Sequence, residues 1–130
     1  MPSSIEISSA GVATDARRAR GAVIQLLGVQ RSAEFIRDAV LLTSELVTNA
    51  MIHTNRGWTL RASLSALVLR VEVSDFSERM PSHIAPTTRS ITGRGLQLVD
   101  QVSTRWGTRM HPGGKTVWFE MHDSGAGLTG

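Results

Sequence analysis

Apolar residues recur at helical spacing in two stretches of the first half of the chain. The longer stretch, residues 33–53, contains no Gly or Pro, and at about 100° per residue its apolar side chains fall on one broad arc. It predicts a single long helix with Ser32 as its N-cap. A shorter apolar stripe predicts an earlier helix over residues 15–27, which either Thr14 or Asp15 can cap.

Alternation of apolar and polar residues after the long helix predicts two pairs of strands. The first pair covers residues 58–65 and 67–73, with a tight turn between them that lacks Gly and Asn. The second pair covers residues 104–110 and 116–121, on either side of a turn at 111–115. We therefore expect two hairpins that pair within one sheet.

The pattern fades between the second and third of these strands. Residues 77–92 contain two prolines and show no periodicity, and loops of this length are often functional lids. The segment Gly93-Arg94-Gly95-Leu96 follows and opens an amphipathic stretch over 96–102. Glycines before a helix N-terminus leave backbone N–H groups that can face an anion, although a plain tight turn explains the same residues. The spacing matches neither the dinucleotide fingerprint nor the P-loop.

Composition excludes several classes of protein. The 130 residues contain no Cys, which rules out disulfides, thiolate metal sites and cysteine nucleophiles. No apolar run approaches the ~20 residues that a membrane span needs, and the loose or strand-like first ten residues do not resemble a signal peptide. We expect a soluble, cytoplasmic, single domain over 1–130, with its core at about 15–121 and flexible ends.

The net charge of +3 comes from thirteen Arg and one Lys against eleven acidic residues. The Arg residues are scattered rather than gathered into one patch, apart from a cluster at 17–20. With no aromatic interleaving and no zinc pattern, a DNA-binding domain is the weakest of the functions considered.

Three polar residues share one border of the apolar arc on the long helix. Glu45, Asn49 and His53 repeat at i, i+4 and i+8, so an acid, an amide and an imidazole stack along the helix. In an arbitrary helix such a stripe is more often a solvated polar edge than a site. A functional interpretation therefore needs support from the rest of the chain.

Asp75 is the second isolated polar candidate. It lies two residues beyond the predicted strand 67–73, and on the inward register of that strand. A carboxylate there is costly unless it has a partner. Taken alone, the favoured alternative is that the strand has already ended and Asp75 starts a turn with Phe76 and Ser77.

The order of these features resembles that of the GHKL, or Bergerat-fold, ATPases. The segment Glu45–His53 is similar to their N-box, and Gly93–Leu96 and Gly113–Trp118 support the resemblance, which covers most of the chain. The nearest type is the anti-sigma-factor serine/threonine kinase in its short actinobacterial form. The resemblance implies an α+β fold, a two-layer α/β sandwich in which helices cover one face of a mixed, mainly antiparallel sheet.

The resemblance also implies cofactors and roles. ATP and Mg²⁺ would bind between the long helix and the lid, with Asn49 as a magnesium ligand and Asp75 on the adenine amino group. Glu45 would be the catalytic group that accepts a proton from the attacking hydroxyl or orients it. The remaining nucleotide contacts would be His53, Ser77, Gly93, Arg94, Gly95, Leu96 and Thr116. Position 77 is Ser where the family motif carries Gly, and a histidine bonded within the core explains His53 equally well.

The length of the chain narrows the implied activity. Histidine kinases and gyrase-like members need phosphoacceptor, dimerisation or transducer segments for which 130 residues leave no room. The leading hypothesis is a homodimeric serine kinase that binds a sigma factor and phosphorylates a STAS-type anti-anti-sigma partner. The alternative is a weakly catalytic or non-catalytic ATP-binding module that sequesters a partner, and neither hypothesis involves nucleic acid or a membrane.

Overall fold

The computed structural model describes residues 3–9, 14–28, 31–53, 57–76 and 102–123. Its five strands form one sheet in the order β1-β2-β3-β5-β4, and each neighbouring pair is antiparallel. The elements are β1 (Ser3–Ser9), α1 (Thr14–Leu27), α2 (Ala33–His53), β2 (Trp58–Ser65), β3 (Val68–Asp75), β4 (Arg105–His111) and β5 (Gly114–His122).

Both helices lie against the sheet, α1 on β1 and β2 and α2 on β2, β3 and β5. The expected α+β fold is confirmed, and the described strands show only antiparallel pairing. The predicted loop at 77–92, the Gly93–Leu96 segment and most of the stretch 96–102 lie outside the described residues. Neither helix that the structure describes is long and apolar enough to cross a membrane.

The start of α2 confirms the predicted cap. Ser32 Oγ accepts a hydrogen bond from the Phe35 N–H at 3.1 Å, and the Ser32 carbonyl accepts one from Ile36 at 3.1 Å. The side-chain bond satisfies one of the N–H groups that a helix leaves unpaired in its first turn. At the end of α1, Gly28 has a φ of 71°, a conformation that glycine adopts without steric cost.

The core fills the space between the helices and the inner face of the sheet. Buried side chains alternate along β3 and along the second half of β5, as expected for strands with one face against helices, whereas residues 114–117 at the start of β5 are all buried. Burying each such aliphatic or aromatic side chain contributes about 1.5–3 kcal/mol. The buried apolar residues from α2, β3 and β5 are Phe35, Ala39, Leu42, Leu46, Val47, Ala50, Leu69, Val71, Val73, Val117, Phe119 and Met121.

Arg31 fixes the direction of α2 over the sheet. Just before α2 begins, its guanidinium donates to the carbonyl of Ala66 in the β2–β3 turn at 3.0 Å. It also donates to the carboxylate of Asp123, which follows β5, at 3.3 Å. Because α2 starts at this end and is followed after a few residues by β2, its last turns lie at the opposite end, where β2 begins and β3 finishes.

The outer face of the sheet carries an ion-pair cluster over a tryptophan ring. Arg70 and Arg105 each contact the Glu120 carboxylate at 2.8 Å. The Arg70 guanidinium lies 4.2 Å from the centroid of the Trp118 ring, a cation–π arrangement. Burial alone would raise the pKa of Glu120, but hydrogen bonds from the two arginines outweigh it and lower the pKa. The stabilisation is therefore present above the unfolded-state pKa and is lost as the pH falls through the lowered value.

One residue of the β2–β3 turn adopts an unfavourable backbone conformation, and a single substitution should relieve it. Ala66 has a φ of 52°, and the left-handed region costs a non-glycine residue about 1–2 kcal/mol. Ala66→Gly is expected to raise the free energy of unfolding by about 1 kcal/mol, less than the full cost because glycine loses more entropy on folding.

Urea denaturation monitored by tryptophan fluorescence measures this change. Ser65→Gly is the matched control, since Ser65 ends β2 without a positive φ and should lose about 0.5–1 kcal/mol instead. An equal loss of stability in both variants would show that the Ala66 turn is not strained.

Candidate functional site

Asp75 is the last residue of β3 and points into the core. It pairs with Trp58 on one side and Lys115 on the other, and it is 3% exposed. The predicted strand end at residue 73 is therefore two residues short, and the alternative in which Asp75 starts a turn does not describe the structure. Pairing continues because both neighbouring strands still offer partners at this position.

Lys115 supplies the partner that a buried carboxylate requires. Its Nζ donates to Asp75 Oδ2 at 2.7 Å, and the two side chains are 0% and 2% exposed. Removing one member of such a pair is expensive, about 3–5 kcal/mol, because the other charge then stays buried without compensation. The ion pair thus fixes the position of Asp75 more firmly than a surface contact would.

Gly114 allows the two strands to meet in this way. A Cβ atom at Gly114 would overlap the backbone carbonyl oxygen of Asp75, so β5 can begin against the end of β3 only with glycine at that position. The preceding turn, Pro112–Gly113, uses a φ of 83° at Gly113, as a type II turn requires. These residues bring the one lysine of the chain directly opposite Asp75.

Thr116 lies on the other face of the sheet from Asp75. Its partner across the ladder is Ser74, and the two hydroxyl groups share a hydrogen bond at 2.7 Å. Thr116 Oγ1 also shares a hydrogen bond with His111 Nε2 at 3.1 Å. Because successive residues of a strand point to opposite faces, Thr116 and Asp75 do not present their side chains to the same surface. Lys115, and not Thr116 as the sequence analysis predicted, therefore shares the inner face of the sheet with Asp75.

Trp58 on β2 lies beside Asp75 and faces the same side of the sheet as Asp75 and Lys115. It faces Asp75 in the ladder, is 1% exposed, and its indole Nε1 has no hydrogen-bond partner among the described residues. The row Trp58–Asp75–Lys115 therefore carries an N–H donor, a carboxylate and an ammonium across three strands at one end of the core. Sequence analysis placed Trp58 on the inner face of β2 but assigned it no polar role.

Asn49 brings a buried amide to the same end of the molecule. It is 4% exposed, and neither Oδ1 nor Nδ2 has a hydrogen-bond partner within the ranges that the structure describes. Leaving a buried donor or acceptor unsatisfied costs about 1–3 kcal/mol, so an amide held in this way indicates a ligand position. The solvated-edge interpretation of the helix stripe does not apply to Asn49.

Glu45 and His53 flank Asn49 on α2. Glu45 is half-buried one turn earlier and interacts with its surroundings. His53 ends the helix, and its side chain lies outside the described structure, as do Ser77, Gly93, Arg94, Gly95 and Leu96. The described part of the site therefore consists of Glu45, Asn49 and the row Trp58–Asp75–Lys115.

These groups fit a magnesium nucleotide in their chemistry. An amide oxygen is a hard ligand of the kind that Mg²⁺ prefers, and the ion normally takes its other ligands from water and phosphate. No group of three or more His, Asp or Glu side chains in the described ranges is arranged to hold a metal ion by itself.

Two hollows open on the outer side of the sheet. One of about 300 Å³ is lined by residues of β1, β2 and β3. The other, of about 490 Å³, reaches the end of β3 and the β4–β5 turn, and Asp75 lines it together with Arg61 and His111. Neither hollow is lined by Glu45 or Asn49.

Similar folds occur in solved structures that are longer than this chain. The crystal structure of the RsbU and RsbW domains of Rv1364c from Mycobacterium tuberculosis matches with a TM-score of 0.67 at 20% identity, over 92% of this chain and 32% of that one. The blue-light activated histidine kinase EL346 of Erythrobacter litoralis matches with a TM-score of 0.61 at 23% identity, over 86% and 42%. The histidine kinase domain of the same protein gives 0.57 at 23% identity, over 92% and 63%.

This chain spans about a third of the Mycobacterium structure, and at these identities the similarity concerns the fold. No curated protein matches the sequence significantly. The histidine kinase-like ATPase domain family, however, matches residues 9–121, a range that includes α1, α2 and every strand except most of β1. Because that match covers most of the chain and the fold agrees with it, the protein belongs to the histidine kinase-like ATPase domain family.

Proposed function

We propose that the protein binds Mg·ATP at the end of the sheet that carries Asn49 and Asp75, and transfers the γ-phosphoryl group to a serine of a partner protein. The observation that carries this proposal is the buried amide of Asn49, which has no hydrogen-bond partner in the described structure. A magnesium-bound nucleotide would satisfy that amide, and the family match supports a nucleotide as the ligand.

Asp75 would recognise the adenine base. An ionised carboxylate only accepts hydrogen bonds, and the exocyclic amino group of adenine donates them. A carboxylate has about four acceptor positions, so the bond from Lys115 at 2.7 Å does not by itself exhaust it. The predicted contacts from His53, Ser77 and Gly93–Leu96 enter the proposal from the sequence alone, and Thr116 is left out because it faces the other side of the sheet.

Glu45 would act on the attacking hydroxyl group. In the proposed transfer the serine Oγ forms a bond to the γ-phosphorus, the bond from that phosphorus to the bridging oxygen of ADP breaks, and the serine proton passes to the Glu45 carboxylate. Mg²⁺ would supply charge neutralisation at the phosphates. The protein contributes position, because Glu45 and Asn49 are one helical turn apart on a helix packed against the sheet.

The partners follow from the family type rather than from this structure. The resemblance to anti-sigma-factor kinases and the fold similarity to a structure containing an RsbW domain support a homodimer that binds a sigma factor and phosphorylates a STAS-type anti-anti-sigma protein. Soluble partners of this kind suit a cytoplasmic protein.

A second function, an ATP-binding module that sequesters a partner without transferring phosphate, is favoured by one observation. Ser77 stands where the family motif has Gly, and it can crowd the base. This would weaken contact with the base and leave protein binding intact.

Replacing Glu45, the proposed general base, distinguishes the two functions. Glu45→Ala is expected to lower phosphoryl transfer about 10²–10⁴-fold while Mg·ATP still binds, because the nucleotide contacts are retained. Transfer is measured with γ-labelled ATP and candidate STAS-type partners, and ATP binding is measured by calorimetry. Glu34→Ala is the matched control, since Glu34 is an exposed acid in the first turn of the same helix and should retain full activity.

The presence or absence of label on the partner protein distinguishes the kinase from the sequestration module. Label on a partner serine with the wild type and its loss with Glu45→Ala support the kinase. Tight ATP binding without label on any partner supports the sequestration module. Equal transfer by Glu45→Ala and the wild type would remove Glu45 from the mechanism.

Asn49 offers a test that joins stability to binding. Asn49→Ala is expected to raise the free energy of unfolding of the nucleotide-free protein by about 1–2 kcal/mol, because it removes an unsatisfied buried amide and improves helix propensity. The same variant should lose the increase in melting temperature that saturating Mg·ATP gives the wild type.

Thr43→Val is the matched control for this test. Thr43 is a second fully buried residue of α2 whose hydroxyl has no hydrogen-bond partner in the described part of the chain. The control should also gain about 1 kcal/mol, yet keep the response to Mg·ATP. If Asn49→Ala instead loses stability and keeps that response, Asn49 is a structural residue.

A further inference from the structure

Lys115 stands beside the group proposed to read the base, and the family-based roles leave it unassigned. It is the one lysine of the chain, its side chain is 0% exposed, and its Nζ is 2.7 Å from Asp75 Oδ2. We propose that Lys115 is a positioning residue that holds Asp75 as an ionised acceptor and thereby makes the site prefer a base with an amino group. This inference rests on the proposed nucleotide-binding function.

The argument depends on what each form of a buried carboxyl group can bind. A lone carboxylate in an apolar environment tends to take up a proton, and the neutral acid then offers an O–H donor as well as acceptors. Such a group can bond either to an amino group or to a carbonyl oxygen. A carboxylate that contacts an ammonium stays charged and can only accept. The ionised carboxylate therefore has no donor for a base that presents a carbonyl oxygen to it.

The surroundings of the pair make Lys115 the group that performs this role. Register places it directly across from Asp75, and Gly114 permits the close approach of the two strands. Arg31 contacts the turn at the far end of the sheet. Arg70 contacts Glu72 and Glu120 on the outer face. Neither arginine is placed to substitute for the lysine.

The test compares ATP with inosine triphosphate, in which a carbonyl oxygen replaces the amino group of adenine. Dissociation constants for both magnesium nucleotides are measured by calorimetry on the wild type and on Lys115→Met, whose side chain is of similar length but uncharged. The wild type should prefer ATP by about 10–100-fold, the penalty expected for one unsatisfied buried group. In Lys115→Met the preference should fall to within about 3-fold of unity, and Lys115→Arg should restore part of it.

The ratio of the two dissociation constants measures base recognition, because a general loss of stability would change both constants alike. Arg17→Met, which removes an exposed cation on α1, is the control and should keep the wild-type preference. If Lys115→Met does not fold, Lys115→Gln replaces it, because its amide can still donate a hydrogen bond to Asp75 but carries no charge. The preference for ATP should fall in this variant as well.

The outcomes separate this inference from the proposed function. A wild type that binds neither nucleotide overturns the nucleotide site, and the role of Lys115 falls with it. A wild type that prefers ATP, together with a lysine variant that keeps the same preference, overturns the role of Lys115 and leaves the nucleotide site in place. Loss of the preference in the uncharged lysine variants, with retention in Arg17→Met, supports the inference.

Discussion

The contact between Lys115 and Asp75 sets the geometry of one end of this protein. Two opposite charges are taken out of water between three strands and a helix, which is tolerable only while each stays in contact with the other. The strands accommodate the contact through Gly114, which lets β5 begin against the Asp75 carbonyl. The ladder consequently continues to the last residue of β3 and holds the carboxylate in the core instead of releasing it into a turn.

The two ends of the sheet use their polar groups in opposite ways. At the end where α2 begins, Arg31 links the β2–β3 turn to Asp123, and these groups satisfy one another. At the other end, Asn49 and Trp58 bury polar atoms that find no hydrogen-bond partner in the described structure. Proteins rarely retain such atoms without a purpose, because each costs free energy of folding. Thr43, closer to the start of α2, is a further buried residue of this kind, so the proposal of a ligand at Asn49 rests on its amide together with the family match.

Sequence patterns predicted the long helix to the residue, and α1 and β2 to β5 within two residues at each end, whereas β1 lies in a segment predicted only as loose or strand-like. Helix α2 could be predicted because its cap, Ser32, and its uninterrupted apolar arc are local features. The end of β3 could not be predicted in this way, because an aspartate at this point is typical of a turn. Its partner, Lys115, lies 40 positions away in the sequence. The signal for Lys115 was its place as the chain's one lysine on the inward register of β5, but the predicted strand began one residue too late to include it.

The alternation of side chains along β5 also decides which of them can contribute to the site. The resemblance assigned a nucleotide contact to Thr116, which lies within the segment Gly113–Trp118. The pleat, however, assigns alternate residues to opposite faces, and Thr116 forms hydrogen bonds with Ser74 and His111 on the outer face. Lys115 therefore occupies the position beside Asp75, where it brings a buried positive charge instead of a neutral hydroxyl. In the proposed nucleotide site this charge would act on the carboxylate in a way that a threonine would not, since a hydroxyl can bond to either form of the acid while an ammonium favours only the charged one.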